Sequence, residues 1–197
     1  MKTKLLIASR NQKKKNELQQ ILGQLNFELL SLEDLPPLPE VEEDGLTFAD
    51  NAIKKAVTVA QQTGLLTLAD DSGLVVDALQ GAPGIFSARY AGVEANDEKN
   101  NRKLLLAMQD IADSDRTARF VCVIALSTPA GNLRTVEGAC EGMIGKTLKG
   151  SGGFGYDPLF IPTGFESCFA ELSPQIKNTI SHRAKALALI KPVLKTY

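Results

Sequence analysis

The sequence predicts a mixed α/β fold. Apolar runs of strand length alternate with helix-period segments, the first such run passes through a polar turn into a helix, and two later runs are joined by a short turn. The 197 residues suffice for one well-cored domain with room for two lobes. No repeat, low-complexity stretch or linker divides them, so 1–197 is taken as a single domain. Apolar residues make up 44% and charged residues 23%, the proportions of an ordinary soluble globule. A formal net charge of −1 argues against a general binder of nucleic acid or anionic membranes, whose footprint is a strong basic excess. Cys122, Cys140 and Cys168 are odd in number and form no C-x-x-C pair, which fits reduced thiols better than a disulfide framework or a zinc site. After Lys2 and Lys4 the run Leu5-Leu6-Ile7-Ala8 is too short for a signal-peptide core, and no run approaches membrane-spanning length. A soluble, cytoplasmic protein is expected.

Lys4 to Ala8 predicts a first buried strand and Ser9-Arg10-Asn11-Gln12 a polar turn. Leu18, Ile21, Leu22 and Leu25 then recur at i, i+3, i+4, i+7, and Gly23 and Asn26 end the helix. Lys13-Lys14-Lys15 fall in its first turn, where the macrodipole disfavours cations. A solvated, lysine-rich helix start accounts for them, and so does an anion docked at the helix N–H groups. Phe27 to Leu32 predicts a second strand. Pro36-Pro37-Leu38-Pro39 stiffens a loop that delivers Glu40, Glu42, Glu43 and Asp44 before Gly45. Acids in loops are usually just solvated, but acids gathered this closely also suit a hard cation. Thr47-Phe48-Ala49-Asp50 is a capping-box start for a helix to about Thr63. Its Ala52, Ala56, Val59 and Ala60 stripe allows close packing on a sheet, and Asn51 and Lys55 share another face.

Leu66 to Ala69 is strand-like and feeds directly into Asp70-Asp71-Ser72-Gly73. Neighbouring carboxylates repel, and burying either uncompensated is costly, so positive groups are expected opposite them. Side chains alternate along a strand, so at most one of the two points into a given cleft. Gly73 would let the backbone turn sharply, and an ordinary solvated turn explains the same residues. Leu74 to Val76 can form a further strand, Gly81-Ala82-Pro83-Gly84 is a loop, and Asp97 to Met108 a helix. Arg119 to Leu126 is nearly continuous apolar, as in a strand covered on both faces, and Thr128 to Asn132 turns it back into Leu133 to Cys140 as an antiparallel hairpin. Gly150 to Asp157 is glycine-rich, carries Phe154 and Tyr156, and lacks the Lys-Ser/Thr ending of a P-loop. Ser173-Pro174 opens a turn or short helix through Lys177 to Ser181, and a last helix runs from about Ala184 until Pro192 kinks or ends it.

Taken in order, Ser9-x-Asn11-x-x-Lys14, Glu42-Glu43-x-Gly45-x-Thr47-Phe48-x-x-Asn51-Ala52-x-x-Lys55-Ala56, Ala69-Asp70-Asp71-Ser72-Gly73-Leu74, Gly81-Ala82-Pro83-Gly84-Ile85-x-Ser87-Ala88-Arg89-Tyr90, Gly152-Gly153-Phe154-Gly155-Tyr156-Asp157-Pro158 and Ser181-His182-Arg183 closely resemble the inosine/xanthosine triphosphate pyrophosphatase family. The match runs end to end. It implies a long curved mixed central sheet flanked by helices, two lobes with the active-site cleft between them, and a homodimer. The reaction it implies is Mg²⁺-dependent hydrolysis of non-canonical purine nucleoside triphosphates (ITP, dITP, XTP) to the monophosphate and pyrophosphate. That activity cleans the nucleotide pool.

By this resemblance Glu42 and Asp71 are the Mg²⁺ ligands, and Asp71 also accepts the proton of the attacking water. Ser9, Arg10, Asn11, Gln12, Lys13 and Lys14 would cradle phosphates, Lys55 would be a supporting cation, and Ser72 would donate a hydrogen bond to substrate. The base pocket would be Phe154, Gly155, Tyr156 and Asp157 with Lys177, His182 and Arg183. Arg183 is expected as a cleft arginine that supports little of the core. A donor from Arg183 or His182 aimed at a 6-oxo group would accept hypoxanthine and xanthine and meet a donor on adenine. The chain departs from the family at Asp50, where Glu is common; a shortened carboxylate there can still cap the helix. Two rivals stand beside this reading: a septum-inhibitor-type pyrophosphatase for modified pyrimidine nucleotides, and a non-catalytic nucleotide-sensing dimer. The purine-type loop speaks against the first. The acids speak against the second, because a pure binder of anions needs none.

Overall fold

The structure, a computed structural model, describes residues 2–23 and 25–197. Strand β1 (Thr3–Ile7) leads into helix α1 (Gln12–Leu22), and β2 (Phe27–Ser31) follows. Helix α1 starts where the Asn11 side chain accepts hydrogen bonds from the Lys13 and Lys14 N–H groups, and it stops at Gly23. Helix α2 (Phe48–Thr63) opens on the expected capping box, with Thr47 Oγ1 accepting from the Asp50 N–H and Asp50 Oδ2 from the Thr47 N–H. Asp50 in place of glutamate is therefore a working cap. The chain continues through β3 (Leu66–Val76), α3 (Asp97–Ala107), β4 (Thr117–Ser127), β5 (Leu133–Ile144), β6 (Phe160–Pro162), α4 (Pro174–Ile180) and α5 (His182–Leu194).

The strands form one sheet in the order β2-β1-β3-β4-β5-β6. β1 pairs in parallel with β2 and β3, whereas β5 and β6 are antiparallel, so the sheet is mixed. Only residues 128–132 separate β4 from β5, too few for a parallel crossover, so the expected hairpin forms. The Thr128 N–H donates to the Asn132 carbonyl at 3.0 Å and closes its turn.

Three elements differ from expectation. Asp70 to Gly73 do not end a strand: β3 runs unbroken for 11 residues, and Gly73 is not among the glycines with positive φ. Both carboxylates find compensation in place, as described below, so the chain need not turn to solvate them. Helix α5 begins at His182 and continues beyond Pro192. That proline sits in the last turn, where its missing N–H removes only one helical bond. β6 is three residues long, too short to show a period.

The chain divides into two compact units: Met1–Asp71 with Cys122–Gly138 and Arg183–Tyr197, and Ser72–Val121 with Ala139–His182. In the first unit, side chains of β1, β3 and β4 alternate between two faces. Leu5, Ile7, Leu68, Cys122, Ile124 and Leu126 pack with Leu18 and Leu22 of α1 and Leu187 and Ile190 of α5. Leu6, Ala8, Ala69, Val123 and Ala125 pack with the small stripe Ala52, Ala56 and Val59 of α2. Each buried leucine contributes about 1.5–3 kcal/mol.

The second unit is centred on Phe120, Phe160 and Phe169 with Leu104 of α3 and Met108 at its C-cap. Its Arg116, almost fully buried, donates to the carbonyls of Met108, Ile111, Ile144 and Gly145, which anchors the end of α3 to the end of β5. All three cysteines are free and buried, and burial pushes the Cys122 thiol up to about 12, leaving it inert. Among the described residues no helix is long and apolar enough to cross a membrane.

Candidate active site

The residues singled out in the sequence fall into two groups, one in each unit. In the first unit β3 brings Asp70 and Asp71 to the sheet's interior, 1% and 6% exposed. Asp70 Oδ2 lies 3.3 Å from Lys14 Nζ and accepts hydrogen bonds from Arg183 Nη2 at 3.1 Å and Nε at 3.3 Å. Burial alone would push this carboxyl up, but the charges of Lys14, Arg183 and Lys55 and the Arg183 hydrogen bonds hold it well below the usual carboxylate range. Asp71 is the opposite case. Burial raises its pKa, against the pull of Lys55, Lys14 and a hydrogen bond from Asn51 Nδ2 at 3.0 Å, with Glu43 adding a push upward. Adjacent strand positions thus give one acid whose pKa is held down and one whose pKa is raised.

Lys55 Nζ donates to Glu43 Oε1 and to the Asp70 carbonyl, both at 2.7 Å. Desolvation would lower its pKa, yet the charges of Asp70, Glu43 and Asp71 outweigh that and raise it. Asn51 is the joint of the group. Its Oδ1 accepts the Gly45 N–H at 2.8 Å, and a Cβ on Gly45 would lie 2.6 Å from Asp50 Cβ, so only glycine permits this approach. Glu42 is exposed and has no hydrogen bond or ion pair among the described residues.

The lysine run splits into different duties. Lys15 is buried and pairs with Glu33, and that hydrogen bond lowers the Glu33 carboxyl to about 2. Lys14 is drawn to Asp70, while Lys13 is exposed. Four backbone donors of the turn are already engaged: Ser9 N–H on the Ile7 carbonyl, Asn11 N–H on Ser9 Oγ, and the Lys13 and Lys14 N–H groups on Asn11 Oδ1. Arg10 reaches the Leu38 carbonyl. An anion would gain the Lys13 and Lys14 N–H groups only by displacing the Asn11 side chain.

Arg183 corrects the expectation of a cleft arginine. It is 1% exposed, ranks among the largest fully buried side chains, and is held by Asp70 and Glu17 in the core of its unit. Glu17 carried no sequence signal beyond helical spacing from Lys14.

In the second unit the glycine-rich loop is closed by Asp157, whose Oδ2 accepts the Phe154 N–H at 2.8 Å and Lys177 Nζ at 2.6 Å. A Cβ on Gly153 would lie 2.0 Å from that same oxygen, so the closure requires glycine there. Lys177 Nζ also sits 4.7 Å from the Phe154 ring centroid. The Tyr156 hydroxyl donates to the Ser87 carbonyl at 2.8 Å, and burial pushes it up. Tyr156, Asp157 and Lys177 are buried and act as framework, whereas Phe154 and Gly155 are half-buried. Ser72 is half-buried on β3. His182 is buried, its ring stacked on Phe120 with centroids 4.8 Å apart. The loop is further bound by Asp97 and Asn101 of α3, residues the sequence reading passed over. Their i, i+4 spacing on the helix was the available signal.

The chain matches the sequence profile of the Ham1 family over residues 5–193. It is 52% identical to a dITP/XTP pyrophosphatase of Desulforamulus reducens, over 97% of this chain and 95% of that one. It is 53% identical to a dITP/XTP pyrophosphatase of Geobacter sulfurreducens, over 96% and 95%. The solved structure of a HAM1 protein from Coxiella burnetii has a TM-score of 0.90 to it at 43% identity, covering 99% of this chain and all of that one. A nucleoside-triphosphatase / dITP/XTP pyrophosphatase from Mycobacterium abscessus has a TM-score of 0.78 at 47% identity, covering 98% and 100%.

Proposed function

The chain belongs to the Ham1 family, and on that premise we propose that it hydrolyses non-canonical purine nucleoside triphosphates (dITP, ITP, XTP) to the monophosphate and pyrophosphate. The observation that carries the reading is Asp71. It is a buried carboxyl whose pKa burial raises above the ordinary carboxylate value, steadied by Asn51, with the cations Lys55 and Lys14 acting on it. A binder of anions has no use for such a group, but a general base does, because a carboxylate raised above its ordinary value is a stronger proton acceptor. Asp71 takes the proton of water as its oxygen attacks the α-phosphorus. The bond from that phosphorus to the bridging oxygen breaks, and pyrophosphate leaves with the electron pair. Lys13 and Lys14 supply positive charge to the phosphates, and Phe154 with Gly155 offers a face and a close backbone approach to the purine.

We further propose Mg²⁺ as the cofactor, held by Asp71 and Glu42. Both offer oxygen donors only, and Glu42 is exposed, with no ion pair among the described residues to hold it elsewhere. Among the described residues no three of His, Cys, Asp and Glu gather as a ready metal cage. Mg²⁺ takes one or two carboxylates and completes its shell with water and substrate phosphates. When bound it polarises phosphoryl oxygens and offsets developing negative charge.

The test is incubation with a panel of purine and pyrimidine triphosphates and Mg²⁺, resolving both products. Monophosphate and pyrophosphate should appear together and fastest from dITP and XTP. Orthophosphate and a diphosphate as first products would overturn the bond assignment. Preference for a modified pyrimidine would overturn the substrate class, and binding without turnover the enzyme itself.

A further inference from the structure

We propose that Asp97 and Asn101 of α3 are positioning residues that hold the Phe154–Asp157 loop in one conformation and thereby set base selectivity. The inference rests on the reading above that this loop meets the base. Asp97 and Asn101 stand four residues apart, on one face of the helix. The Gly155 N–H donates to Asp97 Oδ2 at 2.9 Å. Asn101 Nδ2 donates to the Gly155 carbonyl and to the Asp97 carbonyl, each at 2.8 Å. Both neighbours of that amide nitrogen are carbonyl oxygens, so the NH₂ and not the oxygen faces the loop. One helix therefore holds both backbone polar groups of a single glycine.

Gly155 is the residue of the loop that most needs holding. Its φ of 61° is left-handed, and a Cβ there would meet nothing within 4 Å. Glycine is required by conformation and not by space, and glycine loses more freedom on folding than any other residue. Its neighbours on either side are secured by Asp157 and by the Tyr156 hydroxyl, so α3 completes the set. Asn101 itself is 3% exposed, and its Oδ1 has no hydrogen-bond partner among the described residues. A buried amide that leaves its oxygen unsatisfied is a poor choice for stability, where an apolar side chain would serve better. Its two donors are what it contributes. A loop that distinguishes a 6-oxo from a 6-amino purine must keep its polar groups within a fraction of an ångström; a loop released at Gly155 would adapt to adenine.

The test uses Asp97→Ala and Asn101→Ala, with Asp97→Asn as the conservative variant and Phe154→Ala as a control on the loop. Steady-state kinetics with ITP and ATP are combined with inhibition by inosine monophosphate and by pyrophosphate. Each alanine variant should lower the preference for ITP over ATP roughly 10-fold, about one hydrogen bond's worth. The loss should fall on KM, weaken inosine monophosphate and leave pyrophosphate inhibition unchanged. Asp97→Asn keeps an acceptor for the Gly155 N–H and should retain most of the preference. Asp97 is exposed, so its variants decide the matter even where Asn101→Ala fails to fold. A lower melting temperature with unchanged preference in Asp97→Ala overturns the inference. If Phe154→Ala abolishes the preference while the α3 variants keep it, the clamp alone fails. If Phe154→Ala also keeps it, the reading of the loop as the base site fails with it.

Discussion

Asn51 donates its side-chain amide to Asp71 Oδ2 at 3.0 Å while accepting the Gly45 N–H at 2.8 Å, so one buried side chain ties the acid-rich loop to the carboxylate in the middle of β3. Asn51→Ala takes a donor from a buried carboxylate and an acceptor from a backbone N–H. Each such loss costs about 1–3 kcal/mol. The Asn51 hydrogen bond lowers the Asp71 pKa, so its removal should raise that pKa further and move the acidic limb of kcat/KM to higher pH. Denaturant melts and a pH–rate profile check both halves. A limb that stays in place would show that Asp71 is not the group titrating there.

The two aspartates of β3 should separate cleanly. Asp71→Asn keeps size and removes the proton acceptor, so turnover should fall by about 10²–10⁴-fold while the fold survives. Asp70→Asn strips the shared carboxylate from Lys14 and Arg183, and breaking a buried pair on one side costs about 3–5 kcal/mol. Turnover, Mg²⁺ dependence and melting temperature measured on both variants decide it. A folded, dead Asp70→Asn beside an active Asp71→Asn would reverse the assignment.

Much of the fold was legible because its signals are local. The small stripe of α2, the Thr47–Asp50 cap and the continuous apolar run of β4 each depend on neighbours in sequence, and all three stand as expected. The course of β3 was not legible. Whether Asp70-Asp71 turns to solvent or stays in the sheet depends on Arg183, 113 residues away, and no local pattern announces that partner. The lysine run shows the same limit. Its anomaly at a helix start was visible, but the charges that absorb it, Glu33 for Lys15 and Asp70 for Lys14, arrive from other strands and turns. In the glycine-rich loop the aromatic pair flagged a built structure, while the residues that hold Gly155 sit on a helix more than 50 positions earlier.

Stability against pH should carry opposite signatures from the two acids. Asp70 has its pKa depressed on folding, from 3.8 for the free group. Its contribution is present above that value and drains as pH falls below it. Asp71 has its pKa raised, so its contribution is present below 3.8 and is lost as pH rises through the higher folded value. Glu33 is also depressed, but it is largely exposed and solvent-screened, and adds little. Urea midpoints across pH 2–8 should therefore fall on the acid side of about pH 4 in the wild type. Asp70→Asn should flatten that fall from an already lower plateau, and Asp71→Asn should raise the midpoint at neutral pH. An acid limb unchanged in Asp70→Asn would remove Asp70 as its source.

Arg183 offers the sharpest contrast between a role in recognition and a role in the core. Its Nε and Nη2 donate to Asp70 Oδ2, its Nη1 pairs with Glu17, and the side chain is 1% exposed. Truncation to alanine leaves two carboxylates in the interior short of a cation and opens a cavity beside them. The cost should be about 3–5 kcal/mol, a large part of the 5–15 kcal/mol that holds a typical domain together. Arg183→Lys keeps the charge but loses the planar fork that serves Asp70 and Glu17 together, so it should fall between. Pairing Asp70→Asn with Arg183→Leu removes both buried charges. The double variant should then be more stable than the sum of its single losses predicts, because each single change leaves its partner exposed to the full desolvation penalty. Thermal melts of the four proteins give that coupling directly. A stable Arg183→Ala that loses only the preference for ITP over ATP would return the guanidinium to the base and leave the Asp70 pair without a part in the fold.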